Sequence, residues 1–175
     1  MTPRRLTGLA LFALMIVHPF LRPERGWVYL SACDIAALVT AAGLVVPSDR
    51  ALAAAFVFQV MAGIPALTIG ILTGTYPVNP TGIAVHLVPP ILAIAMLRTL
   101  PRGSAALAWL GALAAFFASM VLAPPALNLN FSDHAFGPVA ATFGNAGFDV
   151  AMFALAAVLL FGGEPLLRRA LGRGA

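Results

Sequence analysis

One thiol, Cys33, and three imidazoles, His18, His86 and His134, are the side chains of this 175-residue chain best suited to nucleophilic or acid-base work near neutral pH. A thiol attacks as its thiolate, and with an ordinary pKa of about 8.5 it needs a base or a positive neighbour to become one. His86 is the best base on offer, because an unperturbed imidazole titrates near about pH 6.5 and its segment buries it at a depth similar to that of Cys33. A Cys and His pair suits acyl transfer. Asp34 follows Cys33 directly but lies about 100° further round a helix, which fits it to orient another polar group better than to touch the sulfur. Asp149, Asp34 or Asn145 could orient the imidazole. The Asn128-Leu129-Asn130 turn could supply amide donors to a developing oxyanion. Asn128, Asn130 and Ser31 are thus the candidate substrate contacts, with Ser31 a distant second as nucleophile.

Each of these residues also has a plainer reading. A lone cysteine in an apolar helix usually behaves as a small hydrophobe. A lone histidine there more often caps a carbonyl or pairs with an aspartate, and Asp34 with His86 could be such a structural pair. Asp133 and His134 can be solvated loop residues.

The elements that must position these groups are hydrophobic throughout. Apolar residues make up 61% of the chain and charged ones 9%, against roughly 45 to 50% and about 25% in ordinary soluble domains. A water-solvated core cannot hide that much apolar surface, so residues 1–175 read as one domain, an all-α bundle solvated by lipid. No room is left for a separate catalytic or DNA-binding domain. The net charge of +4 comes entirely from arginine among the basic residues, and these sit at the ends of hydrophobic runs instead of on one face. That pattern signals topology and excludes a nucleic-acid surface. A single cysteine excludes an internal disulfide and forms no metal-type spacing.

A helical span needs about 20 residues at about 1.5 Å each. Six segments qualify or nearly qualify: Leu6 to Leu21, Trp27 to Val46, Ala51 to Leu72, Gly82 to Met96, Ser104 to Leu122 and Phe143 to Phe161. Between them lie stretches that are charged or rich in Pro, Gly and Asn, such as Arg22-Pro23-Glu24-Arg25-Gly26 and Pro47-Ser48-Asp49-Arg50. Met1 to Arg5 and the apolar run behind it have the shape of a signal peptide, but His18 to Pro23 offers no small-x-small cleavage site, so we expect a retained first helix. With a cytoplasmic N-terminus the inner side would carry eight arginines and the outer side only Arg22 and Arg25. This follows the positive-inside rule, and it favours an even count of six spans with both ends cytoplasmic.

Depth sorts the polar residues. His18, Ser31, Cys33, Asp34, His86, Asn145 and Asp149 all fall in the outer half of their segments. The inner half is mainly Ala, Leu, Val and Ile, with Gln59 as the exception. Such a gathering is expected of a cavity near the outer leaflet, and equally of polar residues collecting at an aqueous interface. Pro89 and Pro90 follow the His86 turn. A proline inside a helix removes a hydrogen bond and displaces the carbonyl four residues earlier, so Pro90 is expected to kink this helix beside the imidazole. Pro65, with Gly63, is expected to bend the third.

The stretch Tyr29-Leu30-Ser31-Ala32-Cys33-Asp34-Ile35-Ala36-Ala37 resembles the "HLCDIAA"-type helix of YwaF-like bacterial membrane proteins. The order continues with a helix ending in a Pro-containing outer turn (Leu72 to Pro80), a helix carrying one His (His86), and the Asn-rich turn Asn128-Leu129-Asn130-Phe131, which is similar to the family's "NYMFL" segment. The likeness covers roughly Trp27 to Phe131. The family's His two places before the Cys is Ser31 here, the Asn turn lacks its Tyr-Met, and the chain is one helix shorter. The family is similar to a eukaryotic multispan acyltransferase that remodels ether phospholipids with a Cys and a His, and more distantly to the androgen-induced-gene lipid hydrolases, which use Thr and His. The resemblance implies Cys33 as nucleophile and His86 as its base.

The leading expectation is therefore an acyl hydrolase or acyltransferase of a bacterial inner (plasma) membrane, acting on lipid esters that enter sideways between helices. No metal or organic cofactor is implied. A second expectation is a small transporter or channel subunit with Asp34 and Asp149 as protonatable groups. Haem held by His18 and His86 is a third, and a structural partner of another membrane protein a fourth. Oligomeric state stays open.

Overall fold

The computed structural model describes residues 1–21, 25–72, 79–124 and 137–172. Among these there is no strand, and six helices make up the fold. Helix α1 (Pro3–Val17) opens with Thr2 as its cap, whose hydroxyl accepts from the Arg5 amide, and with Pro3 where a missing N–H costs nothing. Two short 3-10 turns, His18–Leu21 and Arg25–Leu30, lead to α2 (Ala32–Val45). Helix α3 spans Asp49–Leu72, capped by the Ser48 hydroxyl. Helix α4 is Pro80–Met96, capped by Asn79, whose side-chain oxygen accepts from the Gly82 amide at 2.6 Å. Helix α5 is Ser104–Leu122.

Helix α6 runs over Gly137–Gly172 but is broken at Gly144, which sits at φ 69° and ψ −175°. Only glycine takes that conformation cheaply, so the helix breaks there, and the long apolar helix that follows runs Ala146–Gly172, against the expected Phe143 to Phe161.

Pro65 explains the irregular middle of α3. It has no N–H to give to residue 61, and its ring crowds that carbonyl. The helix widens just upstream into a π turn, Gln59–Gly63, where the Ile64 amide reaches back five residues to the Gln59 carbonyl. The expected bend is thus resolved as a local change of helix register. Around Pro89 and Pro90 the α4 backbone stays helical, and both rings are buried.

Helices α1 and α2 form an antiparallel hairpin. At one end an Arg4 guanidinium nitrogen donates to the Gly43 carbonyl at 3.0 Å and pairs with Asp49 at 2.9 Å; at the other the Tyr29 hydroxyl donates to the Met15 carbonyl at 2.7 Å. Gly8 allows the close approach between them, since a Cβ there would lie 2.8 Å from Val45 and 2.9 Å from the Ala41 carbonyl. Helix α3 is central and packs against α2, α4, α5 and α6. The core around it is built from Leu44, Leu52, Ala53, Val57, Ala93 and Leu160. Glu164 of α6 closes the start of α5, where Gly103 brings no capping side chain: its carboxylate accepts from the amides of Gly103 at 3.0 Å and Ala105 at 2.7 Å.

Four of these helices are long and apolar enough to cross a membrane: Pro3–Leu21 with its 3-10 extension, Asp49–Leu72, Ser104–Leu122 and Ala146–Gly172. The other two, α2 and α4, are apolar but shorter. Large apolar side chains stand on the outside of the bundle, among them Ile16, Ile69, Ile91, Leu110, Val121 and Val158. A continuous apolar exterior of this kind suits hydrocarbon and would drive aggregation in water.

Candidate functional site

In the π turn of α3, Gln59 meets the first turn of α2 and the second turn of α4. Gln59 is fully buried, and its carboxamide nitrogen donates to the Cys33 carbonyl at 2.9 Å and to the Val85 carbonyl at 3.3 Å. Both partners are pure acceptors, so the amide orientation is fixed: the NH2 bonds to α2 and α4, and Oε1 lies toward Gly63. One side chain of α3 therefore ties two neighbouring helices at the same level. The carbonyl oxygens of Cys33 and Val85 consequently lie within about 6 Å of one another. Gly63 makes room for this amide, because a Cβ there would come 2.5 Å from Gln59 Oε1.

Cys33 is half-buried in the first turn of α2. Its sulfur lies 3.6 Å from where a Gly63 Cβ would stand, and it packs against the apolar core. His86 is buried in α4, with Nδ1 at 2.8 Å from the Gly82 carbonyl one turn earlier. A carbonyl can only accept, so Nδ1 carries a proton, and in the neutral ring Nε2 is the basic nitrogen. The fold thus brings Cys33 and the residue preceding His86 to one layer of the bundle through Gln59.

Asp34 is directed elsewhere. Its carboxylate and the Nε2 of His18 lie 3.3 Å apart, with both side chains almost wholly buried. The two atoms are misaligned for a hydrogen bond, which leaves Asp34 Oδ1 without a donor and makes proximity, not hydrogen-bond geometry, the content of the pair. The imidazole that Asp34 accompanies is therefore that of His18, where the sequence had offered His86 as a possible partner. The physical reason is the hairpin: the turn after α1 and the first turn of α2 lie side by side. Asp34 also sits at the start of α2, where the helix dipole favours a carboxylate.

Asp149 lies half-buried on α6, a helix that packs against α3 and α5, and it takes no hydrogen bond or ion pair among the described residues. Ser31 is the N-cap residue of α2; its carbonyl accepts from the Ile35 amide at 2.9 Å, while its hydroxyl makes no capping bond. Asn128, Asn130, Asp133 and His134 lie outside the described residues, as does the side chain of Asn145. Among the described residues no three His, Cys, Asp or Glu side chains are grouped so as to hold a metal ion.

Gln59, which organises the site, stood out in the sequence only as the polar exception of the inner half, with no role attached. The available signal was its isolation: apart from Thr68, Gln59 is the only polar side chain from Ala51 to Leu72, and it stands six residues before Pro65. An amide in such a run must find partners across the bundle.

Compared with protein-family models, with characterised proteins and with solved structures, the chain finds no match. What the fold defines is a class: an all-helical protein with several helices of membrane-spanning length and a small polar centre in an apolar bundle.

Proposed function

We propose that the chain is an integral membrane protein of six spans with both ends cytoplasmic, and that it cleaves or transfers an acyl group on a membrane lipid. The arginine distribution supports this orientation. The two shorter helices can still cross, since α2 is preceded by the 3-10 turn Arg25–Leu30 and a short span is met by local thinning of the bilayer. In this orientation Cys33 and His86 stand on the outer halves of their segments in a bacterial inner membrane, and Gln59 meets them from near the middle of α3.

The single observation that carries the catalytic reading is the Gln59 bridge, which draws the backbone of Cys33 and of the residue before His86 into one layer. The likeness of residues 29–37 to the YwaF-like helix supports the same assignment. In the proposed reaction the Cys33 sulfur attacks the ester carbonyl carbon, His86 Nε2 takes the thiol proton, and that proton passes to the departing alcohol oxygen as the C–O bond breaks. A thioester on Cys33 remains. Asp149 and the Asn128 to Asn130 turn are the proposed contacts for the imidazole and the oxyanion. The test is turnover of phospholipid esters by purified wild type, Cys33→Ala and His86→Ala; activity that survives in both variants ends the assignment.

A second reading rests on a different observation, the buried His18 and Asp34 pair, which is a protonatable unit inside an apolar bundle. It supports a transport role. Proton or solute flux in reconstituted vesicles that depends on Asp34 and not on Cys33 would favour it.

A further inference from the structure

The carbonyl end of the Gln59 amide is the one part of the polar centre that the bridge does not use. Oε1 belongs to a side chain with no exposed surface, and it has no donor among the described residues. Leaving a buried acceptor unmet costs roughly 1 to 3 kcal/mol, so such an atom is normally answered by an ordered water or by a ligand. Around the Gly63 position both Oε1, at 2.5 Å, and the Cys33 sulfur, at 3.6 Å, converge, so the two atoms are no more than about 6 Å apart. They are not hydrogen bonded to each other. One oxygen atom that donates to Oε1 can therefore also lie against the sulfur. Cys33 is only half-buried, which leaves a way in.

The kind of group follows from counting protons. A hydroxyl bonded to Oε1 has spent its only hydrogen, whereas a water has a second one to give to a base. We infer that Gln59 Oε1 holds a water molecule against Cys33, and that this water discharges the acyl group, so that the chemistry is hydrolysis and not transfer. The second half of this inference rests on the acyl chemistry proposed above. The step balances as follows: the water oxygen bonds to the thioester carbonyl carbon, the C–S bond breaks, and the proton lost by water passes through His86 Nε2 to the departing sulfur. The products are a free carboxylic acid and the regenerated thiol. Gln59 acts here as a positioning residue for the water, and Gly63 keeps its amide in place.

The sequence provides a clean probe, because Gln59 is the only glutamine and Cys33 the only cysteine. In wild-type protein carrying glutamine labelled with carbon-13 at the side-chain carbonyl, infrared spectra of hydrated proteoliposomes should show one carbonyl band at a hydrogen-bonded position. That band should shift on drying and recover on rehydration. A carbonyl at the free position whatever the hydration overturns the water site, and it does so without reference to activity. The second measurement is the lifetime of acyl-Cys33 after a pulse of phospholipid ester, read by intact mass. Gln59→Met and Gly63→Ala should lengthen that lifetime by on the order of tenfold or more, over and above any loss in the rate of initial acylation. Gly63→Ala matters because it retains both cross-helix bonding partners of the amide nitrogen. An unchanged lifetime in both variants, or acyl transfer to added lipid alcohol outpacing fatty-acid release in wild type, overturns the hydrolytic role. If wild type never acylates, the acyl chemistry itself fails, and the infrared result alone decides the water site.

Discussion

The buried His18 and Asp34 pair should behave as a coupled unit in stability measurements. The atoms are 3.3 Å apart, with the side chains 1% and 5% exposed. For a fully charged pair at this spacing and an effective dielectric constant of about 20, Coulomb's law gives about 5 kcal/mol of attraction, against a desolvation cost of several kcal/mol per ion. The net value of the pair is therefore small, but the cost of orphaning one member is not. Asp34→Val or His18→Leu alone should destabilise the fold by about 3 to 5 kcal/mol, because each strands a polar group where no other described partner answers it. The double substitution should cost only about 1 to 2 kcal/mol beyond wild type, since apolar side chains of similar volume fill the same space. Equilibrium unfolding in mixed micelles, analysed as a double-mutant cycle, measures the difference directly. Single substitutions that each cost under about 1 kcal/mol and add in the double would refute the argument, and would mean that the two residues face water or lipid independently.

Three further outcomes follow from contacts elsewhere. Gly8→Ala should push α1 from α2, since its Cβ would meet Val45, the Ala41 carbonyl and Leu44 at 2.8 to 2.9 Å; a loss of about 1 to 3 kcal/mol in the same unfolding assay is expected. Glu164→Ala removes both acceptors from the start of α5 and should cost about 1 to 2 kcal/mol, with faster amide exchange at Gly103 and Ala105 as the local signature. Arg4→Ala should cost under about 1 kcal/mol, because its Asp49 partner is largely exposed and the pair is screened by water and salt.

The outline of the fold was legible because hydrophobic length and its interruptions are local properties. The Arg98 to Gly103 break falls between α4 and α5, and the Pro47 to Arg50 break overlaps only the first two residues of α3. Boundaries moved where backbone chemistry overrode hydropathy, as at Gly144, whose break sets the start of the last apolar helix. The π turn was half legible: Pro65 demanded an adjustment, but whether the helix would bend or change register depends on what packs beside it. Of the candidate site residues, Cys33 and His86 sit on helices that Gln59 joins. Partner choice was not legible. Asp34 had two histidines within plausible depth, and only the hairpin geometry of α1 and α2 selects His18. Gln59 looked isolated because its partners are backbone carbonyls, which leave no trace in a sequence.

The most direct test of the central claim is the mass of the intact wild-type protein after brief exposure to a phospholipid ester in reconstituted membranes. A single fatty-acyl adduct is expected, mapped to Cys33, removed by neutral hydroxylamine as a thioester should be, and formed far more slowly in His86→Ala. No adduct under conditions where the ester is consumed, or an adduct on any other residue, would contradict it.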